Sequence, residues 1–334
     1  MPIPFLFIGI GAGAAALGVG KTVKAGIDQK DANETNSQAQ SIADRATQAA
    51  NRSREASGKA VTDLGRQKIF VLDHSMKPFI ASFEKLHNVE LSNTVGMDEL
   101  KKFRIDKQSL QELKEMSSMA TSLLGGAASG AALGAITAFG AYGGVMAFGA
   151  ASTGTAIATL SGAAATNATL AFLGGGSLAV GGLGMAGGTA VLGGLVAGPA
   201  LAVMGFVLGA KASANRDAAY SNLAKARAYE EEMKTVRTLC SGIRMRATMF
   251  ERLLLKLNAI FEPLVIGLEQ IITENGTDFS HYTPQQKATV AAGLSIAGAI
   301  KAVLDTPILS EDGNLTEESG QIFANTQKVI DQYA

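Results

Sequence analysis

From Met116 to Ala210 the chain runs for 95 residues without a charged side chain or a histidine, bracketed by Glu115 and Lys211. A surface helix in a soluble protein shows water a polar face. Four or five successive uncharged helices would have to be buried almost entirely, which a chain of 334 residues has little other protein to do. A bilayer hides such surface directly, at about 20 residues per span.

The same block holds 23 of the 39 glycines. Many recur four apart: Gly126, Gly130 and Gly134; Gly140 and Gly144; Gly184 and Gly188; Gly194 and Gly198; Gly205 and Gly209. Small residues at that spacing let two helix backbones approach closely in lipid. In water each glycine would weigh against the helix by up to ~1 kcal/mol, whereas in lipid the unsolvated backbone enforces helix anyway. Residues 116–210 therefore read as a glycine-zipper block of three or four helices, with turns at "ASTGT" (151–155) and "GGGS" (174–177). Alanine and glycine are weak membrane formers beside leucine and isoleucine. Two states follow: a block resident in the membrane, or one packed on itself in a soluble form and inserted when triggered.

The flanks differ in kind. Residues 25–115 begin with a long polar helix whose alanines, Ala39, Ala43, Ala46 and Ala50, make a thin seam. They turn more apolar over 67–91, with Ile69, Val71, Leu72, Phe79, Ile80, Phe83 and Leu86. On the far side, over 211–275, Leu223, Ala226, Met233, Val236, Cys240, Ile243, Ala247, Phe250, Leu254, Leu257, Phe261, Leu264 and Leu268 step by three, four or seven. That is a coiled-coil-like seam, with Pro263 as a point of kinking. The expected architecture is all-α, with the two flanks paired antiparallel as a stalk around the apolar helical hairpin block. Residues 276–334 form a short helical region. Thr283, Pro284 and Gln286 predict a capping box at the start of a helix over 283–304, and a last helix runs from about Thr316 to Tyr333.

The first 24 residues include "PIPFLFIGIGAGAAALGVG", with no lysine or arginine before it. It makes a poor signal peptide and reads as a membrane-inserted or membrane-lying segment, with a hairpin buried on the apolar block as the alternative.

Chemistry is hard to find. "GVGKT" at 18–22 ends as a P-loop ends, but the loop requires glycine five positions before Gly20, and that position is Ala15. "IFVLD" at 69–73, which could pass for a magnesium-binding strand end, reads more simply as a turn of helix. His74, His87 and His281 lie far apart and have no second ligand at metal-binding spacing, and the single cysteine, Cys240, excludes an intramolecular disulfide. With 29 basic and 29 acidic side chains there is no net field to attract nucleic acid. Neither enzymatic activity nor a cofactor is expected.

The run "STGTAIATLSGAAATNATLAFLGGGSLAVGGLGMAGGTAVLGGLVAGPALAV" (152–203) and the opening "MPIPFLFIGIGAGAAALGVGKTVKAGID" resemble bacterial glycine-zipper helical membrane proteins. That resemblance implies a bacterial origin and helical architecture but no site. In layout alone, the order helix, apolar glycine-rich block, helix resembles α-helical pore-forming toxins of the cytolysin A type and apolipoprotein L-like proteins.

Lys101, Lys102, Arg104, Lys107 and Lys114 precede the block, and Lys211, Arg216, Lys225 and Arg227 follow it. The positive-inside rule then puts both stalk ends on the cytoplasmic side of a bacterial inner membrane, with an even number of crossings. The expected partners are the lipid bilayer, further copies of the chain and, through the stalk, a protein. Three functions compete: a membrane-active pore or permeabilising protein, a resident scaffold or signalling adaptor, and a nucleotide-dependent remodeller.

Overall fold

A computed structural model of the chain describes residues 22–89, 107–125, 136–137, 139–141, 216–310 and 314–331. Within them the fold is all-α. Its helices include, in order, α1 (Thr22–Val71), α2 (Lys77–Phe83), α3 (Lys107–Gly125), α4 (Arg216–Asn275), α5 (Pro284–Asp305) and α6 (Glu317–Asp331), and residues 136–137 and 139–141 are helical as well. No strand occurs among the described residues, only isolated bridges between His87 and Asp278 and between Leu309 and Leu315.

Local chemistry accounts for the helix ends. Pro78 lacks the N–H that would bond to His74, and its ring would clash with that carbonyl. The chain answers by widening into a π-turn, Leu72–Met76, whose last bond runs from the Lys77 N–H to Leu72 O. "IFVLD" is therefore helix, and Asp73 sits on its surface, accepting from Thr121 Oγ1 at 2.6 Å. Helix α4 runs through Pro263 without ending. It stops at Gly276, whose φ of +79° lets its N–H close on Ile272 O at 3.0 Å. At the start of α5, Thr283 Oγ1 accepts from the Gln286 N–H while Gln286 Oε1 accepts from the Thr283 N–H, the capping box its sequence predicts.

The chain divides into two compact units, 1–46 with 202–231 and 47–201 with 232–334. In the first, the described contacts are small: Ala32, Ala39 and Ala43 from α1 are buried, as are Ala219 and Ala226 from α4, and Asn222 Nδ2 donates to Asn36 Oδ1 at 3.0 Å. An alanine seam of this kind lets two helices lie close but buries little apolar area.

The second unit is a helical bundle with the main core. Ile243, Ala247, Phe250, Leu254, Leu257, Phe261 and Leu268 of α4 join Val61, Leu64, Leu72, Met76 and Phe79, Leu113 and Met116 of α3, and Val290 to Leu304 of α5. Burying each such Phe or Leu is worth about 1.5–3 kcal/mol relative to exposing it. Rings anchor the centre, with Phe79 against Phe261 at 5.0 Å.

Contacts within this unit correct the expected antiparallel stalk. His74 of the π-turn bonds Glu262 at 3.1 Å, and further along both chains the His87 N–H bonds Thr277 O at 2.8 Å. Earlier on α1, Ala49 to Ala56 face Arg237 to Arg244. Residue number rises on both helices together, so α1 and α4 are parallel. An apolar seam states which face is buried but not which way the partner runs. The connection between them is long enough to return the chain to the starting end. Its first part does turn back: α3 lies antiparallel to α1 and α2, with Lys114 on Glu84 at 2.7 Å and Lys77 on Thr121 at 3.0 Å. Helix α5 is antiparallel as well, placing Gly293 on Phe79 and the Leu304 carbonyl on Lys68.

Helix α5 is long and apolar enough to cross a membrane by length and composition, and most of it is buried inside the bundle.

Candidate functional site

The uncharged run starts inside the bundle, in α3, and meets α1 at Ile136 and Gly140. The two backbones come together at glycine. A Cβ built on Gly65 would overlap the Ile136 carbonyl, and one on Gly140 would overlap the Val61 carbonyl. Because Gly65 and Val61 are four apart on α1, as are Ile136 and Gly140 on the crossing segment, the contact extends over one turn on each side. Thr62 and Thr137 share a hydrogen bond between their hydroxyls at 2.8 Å. Ile136, Phe139 and Ala141 are buried in the main core.

Lys68 lies one turn beyond Gly65 and is wholly buried. Its ammonium donates to Phe139 O at 3.0 Å and Leu304 O at 3.2 Å and stands 5.1 Å from the centre of the Phe139 ring. Leu304 is in the last turn of α5, whose carbonyls lack helical partners and carry the negative end of the dipole. The Ala141 carbonyl is taken by the N–H groups of Ile308 and Leu309. One lysine thus joins α1, the root of the apolar run and the end of α5. Burial pulls the Lys68 ammonium down to about 7, opposed by the charge of Asp305. Asp305 itself is held by Lys301, which also reaches Glu112 at 2.8 Å, while Asp305 Oδ1 is buried with no hydrogen-bond partner. Desolvation lowers Lys301, but its bonds to Asp305 and Glu112 outweigh that and hold it above the usual lysine value.

Of the eleven glycines expected to pack helices, Gly140 lies among the described residues and sits at this crossing. Gly126, Gly130, Gly134, Gly144, Gly184, Gly188, Gly194, Gly198, Gly205 and Gly209 lie outside them, as do Gly18 to Lys21 of the P-loop-like stretch. Gly65 and Lys68 were not singled out by sequence. A signal for both exists in hindsight, because they fall on the α1 seam with Val61, Leu64 and Leu72, where a glycine and a lysine break an apolar series. The histidines are peripheral: His74 is exposed, stacked on Phe70 at 4.9 Å and bonded to Glu262. Among the described residues no group of histidine, cysteine and carboxylates could hold a metal ion.

No protein family, no curated protein and no solved structure matches the chain.

Proposed function

We propose that this is a non-enzymatic, membrane-active helical protein: a water-soluble bundle rooted through the crossing at Gly65 and Gly140 to an apolar, glycine-rich block that enters the bilayer. The observation that carries the reading is the run without charge to Ala210. Its first part, Met116, Ala120, Ile136, Phe139 and Ala141, is core of the bundle, so the membrane segment is confined to about residues 142–210. At about 20 residues per span that length suits two crossings with turns. Two crossings also agree with the cations on both flanks, which place both ends on the cytoplasmic face of a bacterial inner membrane. Glycines four apart supply the surface for self-association.

Liposomes loaded with a self-quenched dye test the reading. Added full-length protein is expected to release dye, and the Gly184→Leu variant to release less and to crosslink into smaller species. Stable oligomers in liposomes with no leakage would rule out permeabilisation and leave a resident scaffold.

A further inference from the structure

Away from the Lys68 crossing, α1 and α4 enclose an open groove of about 270 Å³. On α1, Ala49, Arg52, Ser53 and Ala56 form one stripe. On α4, Arg237, Cys240, Ser241 and Arg244 form the facing one. The spacing explains the shape. Small side chains at 49, 53, 56 and 241 leave the floor low, and the arginines stand around it. Arg237 and Arg244 are two turns apart, about 10.5 Å along the axis, with Ser241 between them on the same face.

The charge pattern is one-sided. No acidic residue lines the groove. From Lys234 to Phe250, α4 carries Lys234, Arg237, Arg244 and Arg246 and no carboxylate. The corresponding stretch of α1, 47–62, carries Arg52, Arg54 and Lys59 against Glu55 alone. Some cations of this unit are matched, Lys59 and Arg66 with Asp63, Lys77 with Asp73, Lys114 with Glu84 and Lys301 with Glu112. Others, such as Arg252 and Lys256, stand singly among the described residues; what sets the groove apart is that three unmatched arginines line one concavity. Among the described residues, Arg52, Arg237 and Arg244 have neither an ion pair nor a hydrogen bond. Three exposed guanidiniums around one groove with no carboxylate in its lining give it a positive field, and a bound anion relieves their mutual repulsion. A guanidinium presents a planar fork that grips a phosphate with two bonds. Three forks with two serine hydroxyls suit a tetrahedral dianion better than a flat carboxylate.

We propose that this groove binds a phosphate group, either free, as in a small phosphorylated solute, or on the headgroup of an anionic phospholipid. This goes beyond the membrane reading and does not depend on it, since the groove lies on the bundle rather than in the apolar run.

The test uses the full-length chain in two arms. Inorganic pyrophosphate is titrated calorimetrically, and vesicles of phosphatidylcholine, with or without phosphatidic acid, are sedimented with the protein. The variant is R237Q/R244Q, with R66Q as the control because Arg66 is exposed and already paired with Asp63. In at least one arm wild type and R66Q bind the phosphate probe, and R237Q/R244Q weakens that binding tenfold or more. Pyrophosphate binding assigns a soluble ligand. Preference for phosphatidic acid without pyrophosphate binding assigns a headgroup. If wild type shows neither, or if R237Q/R244Q matches it in both arms, the site is overturned. Association with pure phosphatidylcholine reports the apolar run instead, and the variant leaves it unchanged.

Discussion

Alanine at Gly140 is expected to lower the unfolding free energy by roughly 2–4 kcal/mol, and Gly65→Ala by a similar amount. In both cases the new Cβ meets a backbone carbonyl of the facing segment. A flexible side chain could swing aside, but a carbonyl in a helix cannot, so the crossing must open and part of the buried core must separate. Overpacking alone costs about 1–3 kcal/mol. Here the separation also strains the Thr62–Thr137 bond and the Lys68 contacts on the same two segments. Gly58, also on α1, gives the matched control because a Cβ there meets nothing within 4 Å. Gly58→Ala should stabilise by about 0.5–1 kcal/mol, the ordinary gain in helix propensity. Urea melts of the three variants check both signs. A loss at Gly140 no larger than the change at Gly58 would mean that the crossing is not a close one.

The second large effect is a pH dependence set by Lys68. Its folded value of about 7 lies below the ordinary lysine value near 10.4. Between those limits the unfolded chain holds a proton that the folded chain does not, so stability rises with pH. The slope is about 1.4 kcal/mol per pH unit, and the whole change is on the order of 4–5 kcal/mol. Below pH 7 the lysine is charged in both states, and the cost of burying that charge is present in full. The groups that face it work in opposite directions: Asp305 and the carbonyls of Phe139 and Leu304 favour the ammonium, and the apolar surroundings oppose it. Lys301, one contact further out, neutralises Asp305 in part, and Glu112 draws on the same ammonium. Lys68→Met should flatten the rise in urea midpoint between pH 7 and 9.5. An equally steep rise in the variant would place the titration on another group.

Much of the helical frame was legible. The α4 seam read from spacing is the buried face in the structure, from Met233 through Phe250 to Leu268, because a seam over so many turns has only one face to bury. The start of α5 was equally plain, since Thr283, Pro284 and Gln286 are a local signal that needs no tertiary context. Pairing direction was not legible, because neither the α1 nor the α4 seam encodes it. Lys68 escaped for a different reason. A lysine is ordinarily an exposed residue, and only the carbonyls of Phe139 and of Leu304 at the end of α5 make its burial tolerable. Arg52, Arg237 and Arg244 are exposed charges in the structure too; what the sequence hides is that the parallel register brings their two distant stretches of chain to one groove.

Fractionation of the expressed full-length chain, with an alkaline carbonate wash of the membrane pellet, tests most directly whether residues 142–210 lie in lipid. The expected result is retention in the washed pellet, with the bundle accessible to protease from the cytoplasmic side. Full release as a monodisperse soluble species would contradict it and would make that segment the interior of a protein core.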